Sequence, residues 1–291
     1  MKIALIAPLG LVLVALLIAA GPKKETPPAG AAEKIAEALP DEAYAKPAKA
    51  RKILVFSRTA GFRHASIATG KVALAEMGRK TGAFDTVISD DLANFESGTI
   101  DQFDAIVFLS TTQNPFKGAG KEKEIELQKS LMSFVKGGKG FVGIHAATDT
   151  FYNWPEYGEM INGYFDGHPW GANKEVHIKV EPGQEQHPLV AMFGGEPLEF
   201  KEEIYQLKDP YDSKKVHMLL RLDPEKSAKV GGIKRKDGDF GVAWARNWEE
   251  GRVFYCSIGH NHDMYWHPLV LRHYLAGIQW AIGDFDVAVD R

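Results

Sequence analysis

Two short apolar runs framed by glycine each end in a histidine. Gly140-Phe141-Val142-Gly143-Ile144 leads into His145-Ala146-Ala147-Thr148-Asp149, and Val253-Phe254-Tyr255-Cys256-Ser257-Ile258-Gly259 leads into His260-Asn261-His262-Asp263. A run without a polar face is a strand buried on both sides, which requires a sheet covered by helices on both faces. In an open sheet of that kind, ligands occupy the crevice beyond the carboxyl ends of the strands. Polar, titratable residues at two such ends are placed for chemistry rather than packing.

The surrounding pattern fits. Strands are expected at Lys52–Phe56, Asp85–Ser89, Ala105–Leu109 and Gly140–Ile144. Between them, helices are expected at Ser66–Lys80, with Gly82 just past its end, and at the amphipathic Glu122–Lys136. This alternation predicts right-handed crossovers and a parallel, doubly wound sheet. After residue 175 the rhythm turns to strands: Val176–Val180, Glu203–Leu207, Val216–Leu222, Phe240–Trp248 and Arg252–Ser257. The last two suggest a hairpin across Glu249-Glu250-Gly251, and Pro268–Ile282 a closing helix. The fold class is α/β, with a mostly parallel sheet and an added β-rich C-terminal part.

The chain has 291 residues, 45% hydrophobic and 25% charged, enough to bury a sizeable core. A formal charge of -3 supplies no field for nucleic acid, and the basic runs Lys46–Lys52 and Lys229–Lys236 read as solvated surface. The single cysteine, Cys256, reads as a small buried hydrophobe. Met1-Lys2 followed by the uncharged Ile3–Ala20 matches a secretory signal and predicts export to a periplasm or cell surface. The rival is a retained membrane anchor; Gly21 stands where a lipoprotein signal needs Cys. Residues 21–50, rich in Pro, Ala, Lys and Glu, read as a flexible linker with one frayed helix over Ala31–Leu39.

Four loops carry candidate chemistry. Ser57–His64 lacks the glycine spacing of a phosphate or dinucleotide cradle, so no nucleotide cofactor is expected, and His64 is its residue of interest. In Gly143-Ile144-His145-Ala146-Ala147 a histidine fills the slot that a nucleophile takes in a strand-turn-helix elbow. Imidazole there can act as acid, base or metal ligand, with Asp149 as partner; the plainer reading is a buried His that satisfies backbone groups. The segment Trp154–Trp170 mixes aromatic residues with Asn162, Asp166 and His168. That suits a sugar, or simply an amphipathic lid. Gly259–Asp263 offers His260 and His262 beside a carboxylate, a mixed nitrogen and oxygen donor set.

As an ordered set these residues resemble the ThuA-like (trehalose-utilisation) family. The resemblance rests on Lys52–Phe56 with Gly61-Phe62-Arg63-His64, Gly143–Asp149, and Gly163-Tyr164-Phe165 with His168-Pro169. It continues through His187-Pro188, Glu203-Ile204-Tyr205, Val242-Ala243-Trp244, and Gly251–Tyr255 with Gly259-His260, spanning about residues 51–283. It implies a class I glutamine amidotransferase-like fold, a flavodoxin-like three-layer sandwich, over residues 51–291. It also implies a link to carbohydrate use through 3-keto sugars. His145 stands where amidotransferases carry their catalytic Cys, so glutamine hydrolysis is not implied.

The expected catalytic residues are His145, His64, Asp149 and His260. Arg63, Trp154, Tyr164, His168, Glu203 and Trp244 are expected to bind a carbohydrate. His64, His145, His260 and His262 are the expected ligands of a divalent metal, zinc foremost. The resulting function is His-based or metal-assisted chemistry on a sugar or glycoside. The alternative is a non-catalytic carbohydrate-binding domain.

Overall fold

The computed structural model describes residues 25–289. The expected signal segment, residues 1–20, lies outside them. In chain order the elements are α1 (Ala31–Ala38), β1 (Lys52–Phe56), α2 (Ile67–Thr81), β2 (Asp85–Ile88), β3 (Ala105–Leu109), α3 (Lys121–Lys136), β4 (Gly140–Ile144) and α4 (Pro155–Ile161). Then follow β5 (Tyr164–Phe165), β6 (Glu175–Val180), β7 (Leu198–Lys201), β8 (Leu207–Lys208), β9 (His217–Leu222), β10 (Gly241–Trp248), β11 (Gly251–Cys256) and α5 (Pro268–Ala281).

One nine-stranded sheet runs β2-β1-β3-β4-β11-β10-β9-β6-β7. Its first five strands are parallel, with β1 between β2 and β3, and β4 between β3 and β11. That is the flavodoxin-like order, in which the chain reverses direction across the sheet between β1 and β3. From β11 onward every pairing is antiparallel, starting with the hairpin to β10 through Glu249-Glu250. Alternate residues of the parallel strands feed two cores. Ile53 and Val55 of β1 face the core shared with α1, α2 and α5; Leu54 and Phe56 face the core shared with α3 and α4. Three layers follow from this period-two alternation.

Two expectations change. The segment 203–207 is not a continuous strand: the pairing strand is β7, which starts five residues earlier at Leu198, and only β8 follows, in a two-stranded ribbon with β5. Glu202 and Glu203 fall in the irregular stretch between, held by Ile204, whose N–H donates to Trp170 O at 2.9 Å. Residues 31–45, expected as part of a loose linker, are docked. Ala31, Ile35 and Leu39, spaced by four on one helix face, are buried, Ile35 and Leu39 in the α2/α5 core. The Gln279 side chain receives N–H bonds from Tyr44 and Ala45 and donates to Ala45 O, and Lys80 Nζ bonds the Ala36 and Leu39 carbonyls. Burying Ile35 and Leu39 contributes about 1.5–3 kcal/mol each. Among the described residues no helix is long and apolar enough to cross a membrane.

Candidate metal centre and cleft

The parallel strands deliver their histidines to one place. β4 ends at Ile144 and is followed by His145, which adopts φ 53°, a left-handed backbone that costs a non-glycine residue about 1–3 kcal/mol. Of the six non-glycine residues with positive φ among those described, four (Ser110, Gln113, His145 and Phe151) sit in the loops that follow β3 and β4. The sharp turn at His145 aims its ring across the sheet end. β11 ends at Cys256, and its continuation carries His260; the loop after β1 carries His64 just ahead of α2. The ring centroids of His64, His145 and His260 lie 4.6–5.3 Å apart, each pair nearly perpendicular.

Glu203 completes the group. The ligand-capable atoms of His64, His145, Glu203 and His260 all lie within 4.8 Å of one another. His145 Nε2 is 3.1 Å from His64 Nε2 and 3.7 Å from Glu203 Oε1, and His260 Nδ1 is 3.1 Å from the same Oε1. Ligands about 2.0–2.1 Å from a tetrahedral zinc stand about 3.3–3.4 Å from each other, so these separations bracket the required edge. Three imidazoles and a carboxylate also form a donor set that suits zinc.

Protonation favours the same reading. A carbonyl can only accept, so the 2.8 Å contact of His145 Nδ1 with Ser257 O places the proton on Nδ1 and leaves the Nε2 lone pair facing the cluster. Burial, then the neighbouring His64 and His260, hold His145 well below its ordinary pKa. Burial and His260 likewise lower His64 to about 4. Both rings are therefore neutral at neutral pH. His260 goes the other way: burial would lower it, but the Glu203 carboxylate outweighs burial and raises it. Its Nδ1 is buried near Glu203 without hydrogen-bond alignment, and His64 Nδ1 is buried without a partner. Unpaired buried nitrogens are costly, and a cation is one way to satisfy them.

Above the cluster opens a cleft of ~320 Å³ lined by Phe62, His64, Asp149, Phe165, His168, Glu203, Tyr205 and His260. Larger hollows elsewhere, such as one of ~680 Å³ beside Glu175, His177, Glu199 and Lys226, lie away from these histidines. Asp149 lines the cleft but stands outside the cluster. Tyr152 Oη–H and Gln113 Nε2–H donate to its Oδ1, and burial raises its pKa. Tyr205 Oη is 3.2 Å from His145 Nε2. His168 is half-exposed at the rim, 3.4 Å from Glu203 Oε2.

Several expected site residues are elsewhere. His262 does not join the other histidines as a ligand, because its Nδ1 is engaged by Thr69 Oγ1 at 2.7 Å. Trp244 is fully buried, packed on Tyr255 at 4.3 Å with its N–H given to Ile161 O, so it cannot face a sugar. Tyr164 is buried and gives its O–H to Trp154 O at 2.6 Å, while Trp154 itself borders a separate small hollow with Gln113 and Asn114. Arg63 turns away to Ser57 O and Glu25. Cys256 is buried, which pushes its thiol up to about 12.

Four contributors were not expected at the site. Phe62, 66% exposed, and Phe165 wall the cleft, and Tyr205 reaches His145. These three lie inside the quoted motifs, within two residues of His64, Tyr164 and Glu203. The fourth is Glu202, fully buried behind the cluster. Burial raises its carboxyl to about 7, against the pull of backbone N–H groups from Gly259, His260 and Asn261.

The architecture defines a flavodoxin-like α/β protein with a histidine-carboxylate centre at the parallel-strand ends. Residues 52–281 match the profile of the ThuA (trehalose utilisation) family, and the chain belongs to that family. Its fold is shared by a ThuA-like protein of Bacteroides uniformis (TM-score 0.64, 22% identity, 81% of this chain and 94% of that one). A ThuA-like protein of Parabacteroides merdae also shares it (TM-score 0.55, 17% identity, 81% and 91%). A cytoplasmic protein of Salmonella typhimurium matches at TM-score 0.51 with 14% identity over 79% of this chain and 98% of that one. No curated protein sequence matches the chain significantly.

Proposed function

We propose that this chain is an exported, metal-assisted enzyme acting on a neutral sugar or glycoside, with a 3-keto sugar as the favoured substrate. The observation that carries the reading is the convergence of His64, His145, Glu203 and His260 at the floor of the cleft. Those four residues would hold a divalent cation, zinc foremost. When bound, such an ion acts as a Lewis acid on a substrate oxygen. Asp149 is the group left to move a proton: it faces the cleft, its carboxyl is raised by burial, and Tyr152 and Gln113 fix its Oδ1. A carbonyl in the sugar acidifies the neighbouring C–H, and Asp149 would take that proton and return it. Phe62 and Phe165 offer aromatic faces to the apolar side of a ring. No Lys or Arg is among the lining residues, which favours a neutral sugar over a phosphorylated one. Export rests on the composition of residues 1–20.

The test is metal analysis of purified protein together with turnover of 3-keto and unmodified disaccharides. Stoichiometric metal with turnover of a keto sugar supports the proposal. Sugar binding without metal or turnover replaces it with a carbohydrate-binding module.

A further inference from the structure

Glu202 and Glu203 are adjacent acids with different surroundings. Glu203 looks into the cleft, whereas Glu202 is fully buried and touches no cleft space. Its Oε1 accepts the N–H of Gly259 at 2.9 Å and the N–H of His260, and its Oε2 accepts the N–H of Asn261 at 3.1 Å. Three consecutive backbone donors thus converge on one carboxylate, forming a concave anion cradle filled by the protein's own side chain. These are the amides of the loop that presents His260.

That loop is clamped from other sides as well. Ser66 Oγ donates to Gly259 O at 2.9 Å, Tyr274 Oη to Ile258 O at 2.6 Å, and Asn261 Nδ2 to Ala172 O and Lys201 O at 2.8 Å each. Gly259 has φ 137°, and a Cβ there would meet Tyr265 Oη at 2.8 Å and His145 Cβ at 3.3 Å. The loop can therefore pass this close to His145 only with glycine at its bend.

We infer that Glu202 is a positioning residue for the metal centre, fixing the His260 backbone through the 259–261 amides so that the ring meets Glu203, His145 and His64 at ligand spacing. This rests on the metal reading proposed above. A single dipeptide then supplies one ligand directly and places another. Partners behind metal ligands tune affinity by about 10–100-fold.

The test uses the full chain, titrated with zinc and with cobalt, whose visible absorption reports coordination geometry. Glu202→Gln, which keeps the shape and one acceptor oxygen, should weaken zinc binding about 10-fold, and Glu202→Ala about 100-fold, with an altered cobalt spectrum in both. Leu275→Ala, a core truncation in α5 away from the centre, controls for lost stability and should keep zinc affinity and the cobalt spectrum. Hydrogen exchange of the wild-type Gly259, His260 and Asn261 amides needs no variant, and they should be protected without added metal. Unchanged zinc affinity and cobalt spectrum in both Glu202 variants, or fast exchange of these amides, overturns the inference. A wild-type chain that takes up neither zinc nor cobalt overturns the metal reading instead, while the exchange arm still reports whether Glu202 orders the loop.

Discussion

His145 and His273 are alike by most measures. Both are fully buried, both have depressed pKa values, and both give an Nδ1 proton to a backbone carbonyl, Ser257 O at 2.8 Å and Leu189 O at 2.7 Å. They differ in what the other nitrogen meets. His145 Nε2 faces His64, Tyr205 and Glu203, whereas the His273 ring packs between Phe193 and Phe254 with Nε2 unpartnered. Burial and a shifted pKa thus do not separate these two imidazoles; convergence of donors does. The plain reading of a buried histidine satisfying backbone holds for half of each ring.

Paired substitutions should break the likeness most sharply. Replacing His145 with Ala should reduce zinc affinity at least about 100-fold, while His273→Ala should leave it unchanged. Each should cost about 1–3 kcal/mol of stability, read by urea denaturation of metal-free protein. Zinc binding that survives His145→Ala would remove the distinction drawn above.

Deleting residues 1–48 tests the other side of the comparison through stability alone. It strips Ile35 and Leu39 from the core and the Tyr44 and Ala45 amides from Gln279, which lies on α5 with His273. The shortened chain should lose about 3–6 kcal/mol, yet retain zinc affinity because the cluster lies on other elements. Equal stability would return this segment to the status of a linker.

Acid should act on every histidine held below its ordinary pKa, His145 and His64 included, and the contribution that involves no candidate ligand is that of His273. Its folded pKa is lowered to about 4 by burial, against an ordinary value of 6.5. The unfolded chain therefore takes up the proton first. The contribution is fully present above pH 6.5 and is lost as pH falls toward 4, by up to about 3 kcal/mol. His273→Asn, which keeps a donor for Leu189 O, should lose that much less on acidification. Parallel pH dependence in variant and wild type would assign the acid sensitivity elsewhere. Smallest of all is Glu25→Gln: the Arg63–Glu25 pair is solvent-exposed, so its loss should cost below about 1 kcal/mol.

The parallel half of the fold was legible because each strand is a short apolar run that ends abruptly in polar residues. His64, His145 and His260 stood out for that reason. Glu203 looked peripheral because its placement depends on antiparallel pairing far along the sheet, which periodicity does not report. Glu202 was invisible: an acid in the charged run Lys201-Glu202-Glu203 reads as a solvated face unless its backbone partners are known. Trp244 misled in the opposite sense, since an aromatic residue in a quoted motif was core. Helix α1 was expected over Ala31–Leu39, but its Ala-, Lys- and Glu-rich composition read as a frayed piece of linker; the spacing of Ala31, Ile35 and Leu39 is what marks the face that docks.

The side-by-side acids tie the centre to a count of residues. Their position is set upstream by the β6–β7 pairing, Val176 opposite Phe200, and downstream by the Trp170–Ile204 bridge. Inserting or deleting one residue between Lys201 and Ile204 would offer the wrong carboxylate to each environment, because a one-residue slip exchanges the two sides of an extended chain. Over this short span, sequence drift by substitution and sequence drift by length are therefore very different events: on the proposed reading, exchanging Glu202 should leave a weakened centre, whereas a single-codon indel should dismantle it.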